Sequence, residues 1–310
     1  MKTYFKLKEG KLVSCDAEGA TVRVFNVPNE EERKEITEEL GIDVYNLDSA
    51  LDPDEISRVE FDRKHISIIW KLPSKGTETG MAFDVTSMGF FLDGSKLTII
   101  SSESSESFLQ AEFRSMNTLQ GFILRYFAYT TRQYLSQLKA IKQTTAQLEL
   151  EITSSAANEV FLKMFDLSER LVYYINAIEA NGGVLTKLRD RVERFELSIR
   201  QIGFLDDIIL ENRQSARQAQ IYSTVLSGLM DARGNMINNN MTTLLKNLTL
   251  ITVVFLPLNL IASVGGMSEF TLMMKEYGLD WRIAYPLFFI IMAALAWVTL
   301  QSLTRYIIRR

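Results

Sequence analysis

The chain has 310 residues, 47% hydrophobic and 23% charged, so it is neither disordered nor fibrous and can bury a sizeable core in one or two domains. A net charge of -4 gives no reason to expect a nucleic-acid partner. One cysteine, Cys15, and one histidine, His65, exclude an internal disulfide and a His/Cys metal cluster within one chain.

The start, MKTYFKLKEGKLV, carries charges but no apolar run, so no secretory signal is expected. The alternating runs TYFKL, KLVSC, TVRVF, HISIIWKL, MAFDV, GFFLDG and KLTII are broken by Gly, Pro and Asn and read as strands. Asn29 is placed to cap a helix whose first turn is rich in glutamate. Residues 1–115 therefore read as a cytosolic α/β domain, in which His65 packs within its strand and Cys15 is a small buried hydrophobe.

After Ser115 the apolar positions recur at three and four, as in Phe122, Leu124, Phe127, Tyr134, Leu135 and Leu138. Asn181-Gly182-Gly183 predicts a helix stop and turn, giving a long antiparallel hairpin over residues 116–211. A stalk helix over 212–247 then passes directly into an apolar segment. Residues 247–268 and 283–304 are each 22 uncharged residues, longer than the roughly 20 needed to cross a hydrocarbon layer. The spans are set at 248–267 and 283–304, with an external loop at 268–282 and a basic tail at 305–310.

The loop holds Glu269, Lys275, Glu276, Asp280 and Arg282, net -1, whereas Lys246 and Arg305, Arg309 and Arg310 flank the other side. The positive-inside rule places both termini in the cytoplasm of a multi-pass inner (plasma) membrane protein. The fold class expected is thus a membrane protein: a cytosolic α/β domain, a long helical hairpin, a stalk helix and two C-terminal transmembrane helices.

Stepping from Asp231 by four and three gives Asn235, Asn238, Thr242, Leu245, Thr249, Thr252, Leu256, Asn259 and Ser263, one helical face in which seven of the nine are Asn, Ser or Thr. A polar face in a span must meet another helix or water. For Thr249, Thr252 and Asn259 the alternative is a local bond, for the threonines to the backbone carbonyl four residues back, or a contact that glues helices together, and Asp231 is either a solvated helix residue or one of a ring that concentrates cations. Leu245 and Leu256 are either packing residues or constrictions that dewet and gate a pore. Asp206 and Asp207 are adjacent acids, either wet surface or a cation site between subunits. Glu269 is either an interfacial end-marker or a ligand. Gly-rich phosphate loops and nucleophile patterns are absent, so no enzyme and no cofactor is expected.

Gly266-Met267-Ser268, followed by Glu269 and Phe270, resembles the Gly-Met-Asn signature of the CorA family of divalent-cation channels. Gly228-Leu229-Met230-Asp231, the run from Asn238 to Ile251, Phe255-Leu256-Pro257-Leu258, and Val59-Glu60-Phe61 with the strand from His65 to Pro73 are similar to the same family. The resemblance implies a homopentamer in the lipid bilayer whose only partners are its own copies and divalent metal ions, Mg2+ first with Co2+ or Ni2+ as surrogates. It implies a first ion site at Gly266, Met267 and Ser268 and a pore lined by Asp231, Asn238, Thr242, Leu245, Thr249, Thr252, Leu256, Asn259 and Ser263, with Asn259 among the ion-binding positions. It also implies a regulatory cation ligand at Asp207, with Glu78 the nearest acid in the loop that should supply its partner. Ser268 stands where the family has Asn, and Gly265 where an aromatic residue often sits; this bears on Mg2+ selectivity. A zinc transporter of the same architecture and a non-conducting membrane-anchored metal sensor or scaffold are the competing readings.

Overall fold

The computed structural model describes residues 2–8, 11–62, 65–74, 84–102, 118–151, 157–278 and 281–308. These divide into two compact units, Met1–Met230 and Asp231–Arg310. Glu78, Arg309 and Arg310 lie outside the described residues.

The first unit is built on seven strands: β1 (Lys2–Lys8), β2 (Lys11–Ser14), β3 (Val22–Asn26), β4 (Arg58–Phe61), β5 (His65–Pro73), β6 (Val85–Asp93) and β7 (Lys96–Ser101). They form one sheet in the order β2-β1-β3-β7-β6-β5-β4. Every pairing is antiparallel except β3 with β7. Helix α1 (Glu30–Lys34) begins at Asn29, whose side chain accepts from the Glu32 amide at 2.8 Å while Glu32 accepts from the Asn29 amide at 3.1 Å. A π turn, Glu35–Glu39, continues it. Helix α2 (Val44–Leu51), capped by Asp43, is too short and polar to stand out in the sequence.

The period-2 alternation of the strands sorts their side chains into two layers. Ile68, Trp70, Met88, Phe90, Leu97 and Ile99 pack with the long helices on one face. Phe25, Ile69, Phe91 and Ile100 pack with Ile36, Leu47 and Ala50 on the other. Gly89 lets α2 approach, because a Cβ there would lie 2.6 Å from that of Ala50. Trp70 stacks on Phe127, ring centroids 3.9 Å apart, and donates its indole N–H to Thr130. His65 is half-exposed, with Nδ1 3.8 Å from Asp93. Cys15 is only partly buried, at the end of the edge strand β2, which leaves one of its sides open.

The hairpin is formed by α3 (Leu119–Glu151) and α4 (Ala157–Asp190). They share an apolar seam in which Tyr134 and Tyr174 meet edge to face, and Leu148 lies in one cluster with Val160. The expected stop at Asn181-Gly182-Gly183 is therefore overturned: α4 passes straight through it. The reason is tertiary. Strand β4 begins at Arg58, opposite Ile69, so β5 has no strand partner at Lys71 on that side. Asn181, fully buried, replaces the missing strand: its Oδ1 accepts from the Lys71 amide at 3.0 Å and its Nδ2 donates to the Lys71 carbonyl at 2.8 Å. Gly182 makes room for Asn212, whose Nδ2 would lie 2.9 Å from a Cβ.

Helix α5 (Ile199–Gly265) starts ahead of the expected stalk boundary at Asn212 and runs without a break for 67 residues. Within the first unit Leu205 and Ile208 join the sheet core, and Ala219 and Leu226 join the hairpin seam. Asn212, itself buried, donates to the Ile178 carbonyl at 2.9 Å and ties α5 to α4. The second unit contains the rest of α5, then α6 (Ser268–Glu276) and α7 (Trp281–Ile308). The segment expected as a loop thus contains a helix of 9 residues. Both α5 and α7 are long and apolar enough to cross a membrane.

Candidate functional site

The two faces of α5 in the second unit differ. Val254 is 6% exposed, Leu258 is half-buried and Gly265 is buried. Phe288 of α7 lies against Gly265, its Cζ 2.6 Å from where a Cβ would stand. On α7 the matching row is Ala284, Phe288, Met292, Ala296 and Thr299, each buried or half-buried at steps of three and four. At about 100° per residue, Val254, Leu258 and Gly265 fall within about 40° of one another. Measured from Val254, the positions Leu245, Thr249, Thr252, Leu256, Asn259 and Ser263 fall between about 140° and about 220°. The polar stripe is therefore on the side of α5 turned away from α7, and each of its residues from Asp231 to Ser263 is exposed in the single chain.

The threonines of the stripe use their protons locally. Thr242 donates to Asn238 O at 2.8 Å, Thr249 to Leu245 O at 2.8 Å and Thr252 to Leu248 O at 2.9 Å. The alternative weighed for Thr249 and Thr252 is thus realised, yet a hydroxyl that donates inward still presents acceptor lone pairs outward. Leu245 and Leu256 are 55% and 66% exposed and interrupt the polar row with apolar steps.

At the end of α5 the Gly266 amide donates to Ala262 O at 3.0 Å and the Met267 amide to Val264 O at 3.2 Å. Met267, 54% exposed and extended, separates α5 from α6 together with Gly266. Ser268 opens α6, and its hydroxyl donates to Glu269 Oε2 at 3.1 Å. The triplet Gly266-Met267-Ser268 is thus a corner between two helices, with Glu269 in the first turn of the second.

The acids on the first unit part company. Asp206 accepts from Arg189 Nε on α4 at 2.6 Å, and the carboxylate beside it raises the Arg189 guanidinium above its usual value. Asp207, the next residue, is exposed. The sequence gives no sign of the Arg189 pairing, because the partner comes from another helix. Among the described residues no group of three or more His, Cys, Asp or Glu is placed to hold a metal within one chain.

Residues 24–305 match the family described as CorA-like Mg2+ transporter protein. The chain belongs to the CorA family. CorA-family proteins are divalent-cation transporters and not enzymes. The cobalt/magnesium transport protein CorA of Methanocaldococcus jannaschii is 26% identical over 251 residues, 78% of this chain and 77% of that protein. The complete structure of the CorA magnesium transporter from the same organism superposes with a TM-score of 0.76 at 22% identity, covering 100% of this chain and 96% of that one. The cytoplasmic domain of ZntB from Vibrio parahaemolyticus shares the fold of the soluble part, with a TM-score of 0.61 at 10% identity over 76% of this chain and 98% of that one. The CorA architecture of an α/β domain, long helices and two C-terminal apolar helices is the architecture of this chain.

Proposed function

We propose that this CorA-family chain conducts a hydrated divalent cation, Mg2+ first with Co2+ and Ni2+ as surrogates, through a central pore formed by α5 helices of a homopentamer. The observation that carries the reading is the polar stripe on the side of α5 opposite α7. A ring with α5 inside and α7 outside turns that stripe to the axis and the apolar face of α7, with Phe289, Ile290 and Trp297 exposed, to lipid. Exposed Met236, Ile237, Met241, Leu244 and Leu248 supply the contacts between neighbouring copies.

The chemistry of the stripe suits an ion that keeps its water. Mg2+ dehydrates reluctantly, and the water around it points its hydrogens outward. Such a shell needs acceptors, and Thr242, Thr249 and Thr252 offer them because their own protons are already donated. Asn259 adds an amide that both donates and accepts. Asp231 gathers cations at one end, and Ser268 with Gly266 and Met267 receives the hydrated ion at the other. Rings of Leu245 and Leu256 dewet the path when they close.

Lys246 and Arg305 on one side and the net-negative segment from Glu269 to Arg282 on the other orient both termini to the cytoplasm. Exposed Asp207 is the acid free to share a regulatory cation with a neighbouring subunit, while Asp206 is held by Arg189. Purified protein in sealed vesicles tests the ion assignment: Mg2+ influx that Co2+ and Ni2+ compete for supports it, Zn2+ flux unaffected by Mg2+ points to a zinc transporter, and absence of any flux to a sensor without a pore.

A further inference from the structure

The structure shows a helix where the sequence suggested a plain loop between the spans, and that helix is two-sided. At about 100° per residue, Met273, Met274 and Tyr277 fall within about 100° of arc, with position 270, a phenylalanine, in the same register. Ser268, Glu269, Thr271, Lys275 and Glu276 fall outside it, and Leu272 alone of the apolar residues joins them. Met274 is half-buried, whereas Met273 is 49% and Tyr277 77% exposed in the single chain. Glu269, Lys275 and Glu276 are exposed on the other side.

Both ends of this helix are tethered at one membrane surface. Only Gly266 and Met267 separate it from α5, and residues 277–280 separate it from α7. A segment fixed so closely to two spans cannot move far into water, and an amphipathic helix held at that level has a lipid boundary within reach of its apolar side. Tyrosine and methionine suit that boundary: one has an apolar ring with a polar tip, and the other is an adaptable thioether.

We propose that α6 is an interfacial helix that lies on the bilayer surface at which the spans are joined, with Met273 and Tyr277 against lipid and Glu269, Lys275 and Glu276 in water. This rests on α5 and α7 crossing the membrane. Because Ser268 is the first residue of α6, the lipid surface sets the height and tilt of the Gly266-Met267-Ser268 corner. The corner is thereby supported from outside as well as by the end of α5.

The test uses the full chain in vesicles of phosphatidylcholine and phosphatidylglycerol, in a Cys15→Ser background that leaves no native thiol. Single cysteines at Met273, Tyr277, Glu276 and Ile290 carry a nitroxide, and relaxation by oxygen and by a neutral nickel chelate is compared. Labels at 273 and 277 are expected to see oxygen several-fold more than the nickel chelate, and the label at 276 the reverse. Equal, high access of the chelate to 273, 277 and 276 overturns the proposal in favour of a helix in water. Exclusion of both relaxants from 273 and 277 overturns it in favour of a second copy covering the face. The Ile290 label separates the premise from the proposal: if the chelate reaches it as freely as it reaches 276, α7 does not span and the reading beneath has failed, with α6 as its consequence.

Discussion

Asn181→Leu is the substitution whose cost the structure defines best. The asparagine is fully buried, and its amide satisfies both backbone groups of Lys71 as well as the Ser57 hydroxyl, which donates to Oδ1 at 2.8 Å. Leucine has similar bulk and better helix propensity, so packing and local structure are nearly conserved. What is lost is the surrogate strand: the Lys71 N–H and C=O become buried and unpaired, at about 1–3 kcal/mol each. The Ser57 hydroxyl can rotate, so the total is about 2–6 kcal/mol, a large fraction of the 5–15 kcal/mol typical of a domain. At roughly 2–4 °C per kcal/mol the apparent unfolding midpoint should fall by about 4–24 °C. Trp70 adjoins Lys71 in β5 and stacks on Phe127, so its fluorescence reports the loss of this part of the sheet during thermal unfolding in detergent. Asn176→Leu on the exposed side of the same helix serves as control and should change stability by about 0.5 kcal/mol or less. An Asn181→Leu protein that melts within a degree or two of the control would refute the account of why α4 runs through an Asn-Gly-Gly sequence.

Three further outcomes are expected. In vesicles loaded with Mg2+, Asp207→Asn should leave influx less sensitive to internal Mg2+, and unchanged inhibition would return Asp207 to the solvated surface. Ser268→Asn should tighten competition by Mg2+ against Co2+ by several-fold in the flux assay; unaltered ion preference would make the corner a structural turn and move selectivity deeper into the stripe. Burial lowers the Lys71 ammonium from its usual value, against the opposing fields of Asp54, Asp52 and Glu55. Between that lowered value and the unfolded value of about 10.4 the unfolded chain binds more protons, so stability should rise with pH there relative to Lys71→Met. Melting curves of the two proteins that shift in parallel across that alkaline window would contradict the burial of a charged amine.

How far the sequence could be read depended on whether the deciding interaction was local. Six of the seven strands were legible because alternation reports directly which side faces a core, whereas the four-residue β4 was too short to stand out and most of the run MAFDV lies outside the described residues; the cap at Asn29 was legible because both partners lie within three residues. The two apolar helices were legible from charge-free length alone. Asn181 was misread because its partner is a strand backbone 110 residues away in the chain, and Gly182 because its small size serves Asn212 of another helix. The Asp206–Arg189 pair likewise joins separate helices, so two adjacent acids that looked equivalent take different environments. In the candidate site the spacing of the stripe was visible in the sequence, but its direction was not. The burial of Val254 and Leu258 and the contact of Phe288 with Gly265 show which side of α5 faces its neighbour and which is left open.

If this open side carries the ion, Asn259, exposed within the span, is the position at which to test it. Replacing Asn259 by Leu removes the only amide of the stripe within the span and leaves the Gly265 face untouched, so assembly should persist. Flux of Mg2+ into vesicles containing Asn259→Leu, compared with the unaltered protein at equal oligomer content by native mass measurement, should fall to near background because an apolar ring dewets the path. Normal Mg2+ flux through the Asn259→Leu protein would contradict the account, since the ion would then be taking a route that the stripe does not line.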